Sequence, residues 1–305
     1  MTTASQAKGA EERSFKEKPL MLGEHETMLG ILSEPQDLDP KRPTFLLLNA
    51  GIVHRVGPHR KTVKLARALA EAGFRTLRFD LSGIGDSTQR RDALDFGASA
   101  LADIREVCDD LEKKHGIDRF VSMGLCSGAD NTFQALLRDE RLVGGVLMDG
   151  YAYQTPQFYA HHYLKRVKDP ERWWRLAKRV VAKGRRRIQS VVEMEAASPP
   201  SSEPPSAPAP VPDYIREFPP QEEVTRQLQG LIDRGVRMYW LYTGGVHVYY
   251  NYERQFFDCF ADVDFKGQLR HDYFAQSNHT FTALETQRAL TDSIVDWAST
   301  AFPRS

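Results

Sequence analysis

Three features of the sequence predict an α/β fold built on a mostly parallel, doubly wound sheet. Short apolar runs alternate with amphipathic stretches of helical period along most of its 305 residues. Runs such as Thr44–Asn49 (TFLLLN) read as fully buried strands, which requires cover on both sheet faces. Glycines mark the junctions where strands hand over to helices, most clearly in Gly124–Gly128.

In chain order, residues 1–18 are polar and read as a frayed tail. An antiparallel pair opening the sheet is expected within Leu20–Leu32. Strand Thr44–Asn49 leads through a Gly-containing loop to helix Lys61–Ala72, and strand Phe74–Asp80 to the loop Leu81–Ser87. Leu101, Ile104, Val107 and Leu111 recur at helical spacing and predict a helix over Ser99–His115. Strand Arg119–Gly124, helix Ser127–Leu137 and strand Leu142–Asp149 follow. Residues 151–235 read as an inserted helical cap over the sheet rim. It contains a helix over Pro170–Ile188, with Trp173, Leu176, Ala177, Val180 and Val181 at helical spacing. The segment 196–212 is almost pure Ala, Ser and Pro, and cannot bury enough apolar surface to offset its ordering. Helix Glu222–Asp233, strand Arg237–Thr243, helix Tyr252–Ala261, strand Gln268–Ala275 and helix Phe281–Thr300 complete the chain. The core is thus expected from 19–150 and 236–305. Right-handed crossovers bring the strand ends to one rim, where ligands bind in such sheets.

Charge and cysteine content narrow the function. Lys plus Arg and Asp plus Glu are 41 each, a balance that argues against a dedicated nucleic-acid binder. Cys108, Cys126 and Cys259 are too few for a disulfide framework. No run approaches the roughly 18 apolar residues of a membrane helix, and the first residues lack the apolar core of a signal peptide. A cytoplasmic protein with no transmembrane segment is the expectation. From Lys165 to Arg187, eleven basic residues face only Asp169 and Glu171. Such a run is either a solvated helix face or a dock for an anionic partner: coenzyme A, an acyl carrier protein or anionic lipid.

The sharpest chemical signal is Gly124-Leu125-Cys126-Ser127-Gly128 at a strand-to-helix junction. It has the form of a nucleophile elbow with cysteine at its centre. The central residue of such a turn is strained, and small residues two places either side let strand and helix approach. The glycine spacing centres on Cys126 and not on Ser127, whose N–H is then placed as an oxyanion donor. A thiol at a helix N-terminus is favoured as thiolate.

With these motifs the chain resembles an α/β-hydrolase from about Phe45 to Trp297, interrupted by the insertion. Asn49-Ala50-Gly51-Ile52 follows the third strand, where that family supplies its other oxyanion donor, so the resemblance implies Gly51 or Ile52. Asp80–Ser87 is similar to the family's D-x-x-G-x-G-x-S loop, and its carboxylates, Asp80 and Asp86, are read as structural. His279, in Ser277-Asn278-His279-Thr280-Phe281, falls where the family carries its catalytic histidine, which implies a general base for Cys126. His54, His59, His161, His162, His247 and His271 read as solvated or packed. The run N-A-G-x-x-H-R-x-G-P-x-R with the G-x-C-x-G elbow resembles the branch of hydrolases associated with exosortase systems.

The acid departs from the family pattern. The loop after Arg237–Thr243 has no carboxylate before Glu253, which leaves Asp149, Glu253 or no acid at all. A cysteine tolerates the last choice better than a serine. Asp149, ending a strand on the same rim, is favoured over Glu253, which reads equally as a favourable charge at a helix start. Arg55 and Arg60 flank the oxyanion loop and are read either as a clamp for a substrate carboxylate or phosphate, or as ion pairs pinning the loop. No metal or cofactor is expected. The reading that follows is hydrolysis of an ester or thioester through an acyl group on Cys126. The alternatives are acyltransfer to an acceptor other than water, as in polyhydroxyalkanoate synthases and aminoacyl shuttles whose cysteine elbows this one resembles, and a non-catalytic binding protein.

Overall fold

The computed structural model describes residues 14–167, 216 and 218–305. Its strands are β1 (Phe15–Leu22), β2 (Met28–Pro35), β3 (Thr44–Leu47), β4 (Thr76–Phe79), β5 (Phe120–Leu125), β6 (Leu142–Met148), β7 (Arg237–Thr243) and β8 (Leu269–Phe274). They form one sheet in the order β1-β2-β4-β3-β5-β6-β7-β8. β2 runs antiparallel to β1 and β4, and every pair from β4 to β8 is parallel. All residues of β3, β4 and β5 are buried, as strands covered on both faces must be.

The helices are α1 (Lys61–Glu71), α2 (Phe96–His115), α3 (Ser127–Leu136), α4 (Pro156–Val167), α5 (Gln221–Asp233), α6 (Gln255–Cys259) and α7 (Leu284–Ala301). Strand alternation sorts their contacts between the two faces. On one, Phe45, Val121, Met123, Tyr239 and Leu241 join Leu65 and Leu69 of α1 and Leu290, Ile294 and Trp297 of α7 in a single core cluster. On the other, the Ser122 and Thr132 hydroxyls meet at 2.9 Å, and Trp240 packs on Phe133 of α3 with ring centroids 5.7 Å apart. Burial of side chains this size stabilises by about 2 kcal/mol each, enough to hold the rim loops to a rigid base.

Several boundaries differ from those expected. The tail ends before Phe15, because β1 pairs with β2 along its whole length. α2 starts at Phe96, three residues early, because the Asp95 side chain accepts the Ala98 N–H at 2.8 Å and caps it. α7 starts three residues late, since Phe281 has a positive φ of 54° and belongs to the preceding loop. α6 shrinks to five residues.

Contacts divide the chain into two units, Met1–Tyr153 with Pro219–Ser305, and Gln154–Phe218. The boundary expected at 235 is therefore corrected: α5 buries Val224, Leu228, Leu231 and Ile232 and belongs to the larger unit. The smaller unit opens with α4, which pattern reading did not find. Thr155 Oγ1 accepts the Phe158 N–H at 3.1 Å and Pro156 occupies the first helical position, both ordinary helix-start chemistry. The helix expected over Pro170–Ile188, the side chains of the basic run Lys165–Arg187 and the segment 196–212 lie outside the described residues. Among the described residues no helix is long and apolar enough to cross a membrane.

Candidate active site

The elbow forms where β5 meets α3. Cys126 adopts φ 58° and ψ −121°, a conformation that costs an L residue about 1–3 kcal/mol and persists only where its surroundings enforce it. The enforcing contacts are visible. The Cys126 N–H donates to the Met148 carbonyl at 2.9 Å, and the Cys126 carbonyl accepts the N–H groups of Ala129 and Asp130 at 2.9 and 3.1 Å. A Cβ on Gly124 would lie 2.1 Å from the Gly128 carbonyl, and one on Gly128 would lie 2.4 Å from the Asn49 carbonyl. Both flanking positions therefore require glycine, and the thiol is only partly buried at the rim.

The neighbouring strand brings a carboxylate to the histidine. Asp149 directly follows β6, has φ 52° and is fully buried. Its Oδ2 lies 2.6 Å from His279 Nδ1. The remaining lone pairs are filled by Thr243, whose N–H donates to Oδ1 at 2.7 Å and whose hydroxyl donates to Oδ2 at 2.8 Å. Glu253, the other candidate, is exposed. His279 hydrogen-bonds to Asp149 and to Cys126, and these two bonds, in that order, raise its pKa to about 9. Asp149 and His279 thus meet from elements 130 residues apart, with Cys126 on the other side of the ring.

The loop after β7 has no room for a side chain facing the histidine loop. A Cβ on Gly244 would sit 2.1 Å from the Ala275 carbonyl, and one on Gly245 would sit 2.2 Å from the His279 nitrogen. The histidine loop occupies the space that a side chain at either position would need.

A buried polar network fixes the oxyanion loop. Asn49 donates to the Val53 carbonyl at 2.8 Å and to Asp80 Oδ1 at 2.9 Å, and accepts the Leu81 N–H at 2.8 Å. The Arg55 N–H donates to Asp80 Oδ1 at 2.6 Å, while its guanidinium pairs with Asp80 and, at 2.8 Å, with Asp86. Of its two readings, Arg55 takes the loop-pinning one. Arg60 is exposed with φ 58° at the start of α1 and makes no ion pair among the described residues. His54, Asp80 and Asp86 bring three ligand atoms within 4.8 Å of one another, but the Arg55 guanidinium already stands among these carboxylates. Of the expected oxyanion donors, the Gly51 N–H donates to Ser127 Oγ at 2.9 Å. The N–H groups of Ile52 and Ser127 have no acceptor among the described residues.

Three contributors escaped sequence reading. Thr243 is the one polar residue near the end of an otherwise aromatic and aliphatic strand beside β6, a signal that was legible. Asn49 was seen only as part of a motif. Lys61, at the first position of α1, is buried, and its Nζ has no hydrogen-bond partner among the described residues. It lies 5.1 Å from the centroid of the Phe281 ring, and burial, opposed by the Asp149 charge, lowers its pKa to about 8. His271 is packed, as expected: it stacks on Phe256, meets the Tyr250 hydroxyl at 2.8 Å, and burial pushes its pKa down to about 4.

An eight-stranded, mostly parallel sheet with an elbow after β5 and a histidine in the loop after β8 defines a fold class, and comparison agrees on the fold. Residues 43–223 match the family model described as alpha/beta hydrolase fold, and the chain belongs to that family. Family membership supports an enzyme of hydrolase type. No curated protein matches the sequence. Among solved structures, the chain is similar to an esterase from Pyrococcus furiosus, at 12% identity over 98% of this chain and 97% of the other, with a TM-score of 0.55. It is also similar to an a/b serine hydrolase without lid from Xanthomonas campestris, at 12% identity over 98% and 100% of the chains, TM-score 0.50. A proline iminopeptidase from Mycobacterium smegmatis is 18% identical over 94% and 98%, TM-score 0.51. At these identities the likeness is one of fold.

Proposed function

We propose that the protein hydrolyses an ester or thioester through an acyl group carried on Cys126. The observation that carries this reading is geometric: the elbow presents Cys126 at the rim with φ 58°, and His279, held by Asp149 Oδ2 at 2.6 Å, hydrogen-bonds to it. The same two bonds raise the pKa of His279, the direction that suits a thiolate partner on an imidazolium.

The steps follow. Sγ⁻ attacks the acyl carbon, and the carbonyl electron pair moves to oxygen, which the start of α3 at Ser127 and the adjoining Gly51-Ile52 loop would receive. Collapse breaks the bond to the leaving oxygen or sulfur, which takes the proton from His279 Nε2. The neutral imidazole then removes a proton from water, hydroxide adds to the thioester carbon, and the C–S bond breaks to return thiolate and imidazolium with release of the acid. Asp149 keeps Nδ1 protonated throughout and aims the ring. The N-A-G-x-x-H-R run shared with the exosortase-associated branch acquires a physical role here, since Asn49 and Arg55 tie the oxyanion loop to Asp80.

The test is intact-mass detection of an adduct on Cys126 after mixing with p-nitrophenyl acetate and with acetyl-coenzyme A. An adduct that discharges in water to free acetate fits hydrolysis. An adduct that persists in water and discharges only to added amine or thiol assigns the enzyme to acyltransfer. No adduct on Cys126 from either donor, with iodoacetamide labelling no faster than at a free thiol, overturns the reading in favour of a binding protein.

A further inference from the structure

We propose that the Ser127 side chain is itself an oxyanion donor, its hydroxyl standing between the Gly51 N–H and the acyl oxygen. The inference rests on the acyl-enzyme reading above and concerns the same site. Its basis is where the Gly51 hydrogen goes. The loop after β3 is placed to offer this N–H to the substrate, yet it donates to Ser127 Oγ at 2.9 Å. A hydroxyl has two acceptor lone pairs and one proton. One lone pair is filled by Gly51, while the proton has no acceptor among the described residues. The side chain is only partly buried and belongs to the residue that follows the nucleophile.

Two further facts make the contact a fixed part of the site. α3 is seated directly against the residues after β3, with no room for a Cβ on Gly128 beside the Asn49 carbonyl, which brings Ser127 and Gly51 within hydrogen-bond reach. The Gly51 loop cannot swing outward freely, because Asn49, Asp80 and Arg55 hold its base. A hydroxyl that accepts a hydrogen bond is polarised and becomes a better donor in turn. Ser127 would thus offer the oxyanion two hydrogens, one from its N–H and one from its O–H, with the Gly51 amide acting through the second. The competing arrangement has the hydroxyl swing aside so that the Gly51 N–H binds the oxyanion directly.

Ser127→Ala and Ser127→Thr separate these, read by two reactions of the same thiol. Acylation by p-nitrophenyl acetate, followed as the single-turnover burst of p-nitrophenol, passes through an oxyanion. Alkylation by iodoacetamide displaces iodide and does not. The expected result for Ser127→Ala is a fall of about 100-fold in acylation rate at saturating ester, with KM and alkylation rate little changed. Ser127→Thr, which keeps the hydroxyl, should recover most of the loss. Acylation by Ser127→Ala at or above the wild-type rate would overturn the proposal and assign the oxyanion to the Gly51 N–H. An equal fall in both reactions would also overturn it, by placing the hydroxyl in the structure of the elbow. Wild-type Cys126 that alkylates quickly yet accepts no acyl group would remove the acyl-enzyme reading and this one with it.

Discussion

Asp149 shows how much chemistry one carboxylate can be made to do. Four neighbouring groups decide its behaviour: the Thr243 N–H and hydroxyl, the His279 ring, and the buried charge of Lys61. Replacing it by Asn removes the stronger of the two bonds that raise His279, so the imidazolium should deprotonate at lower pH. The acid needed by the leaving group is lost as pH rises through the His279 pKa, near 9 in the wild type. Asp149→Asn should therefore draw the alkaline limb of the kcat/KM profile down by about one pH unit or more, with a loss of rate. Glu253→Gln should leave the profile unmoved. Cys126 and His279 were legible in the sequence because each sits in a short motif at a predictable rim position. Asp149 could be preferred to Glu253 from its place at a strand end on the same rim, but its 2.6 Å contact with His279 depends on the sheet order β6-β7-β8, which the sequence does not show.

At the scale of elements, the rim is assembled by close approach more than by attraction. The β7 loop touches the histidine loop through Gly244 and Gly245, and α3 touches β3 through Gly128. Gly245→Ala would place a methyl against the His279 backbone. Since displacement of a catalytic group by about 1 Å can cost 100-fold, kcat should fall by about that factor. Because the clash is with backbone, a loss of about 1–3 kcal/mol in stability should accompany it with the circular dichroism spectrum unchanged; wild-type kcat in the folded variant would show that the contact does not position His279. The strands and most helices were readable from periodicity alone, since α1, α3 and β7 each present one consistent pattern. What periodicity missed are features set by local hydrogen bonds: the Asp95 cap that advances α2, and the Thr155-Pro156 start of α4.

For the whole molecule, half-buried His279 and buried Lys61 tilt stability with pH in opposite directions. His279 has a raised pKa, so the stability it contributes is complete below about pH 6.5 and is lost as pH climbs to about 9. Lys61 has a lowered pKa, so its charge penalises folding fully below about pH 8, and the penalty is relieved between there and 10.5. A shift of that size corresponds to about 3 kcal/mol. Lys61→Met should accordingly stabilise the protein by about 2–3 kcal/mol at pH 7 in a urea titration, with the gap to wild type closing by pH 10. Equal stability at pH 7 would mean that Lys61 is neutral or solvated in the folded state. A buried cation kept at such cost within the field of Asp149 is a case of stability yielded near the candidate site.

The crowding of Gly244 and Gly245 against the histidine loop also bears on descent. A lineage holding its carboxylate after β6 cannot return it to the β7 loop by one substitution, because an aspartate at either glycine would collide with residues 275–279 before it could reach the ring. A side chain at either position requires the 275–279 segment to be rebuilt together with it, so the β7 loop and the histidine loop can change only as a pair.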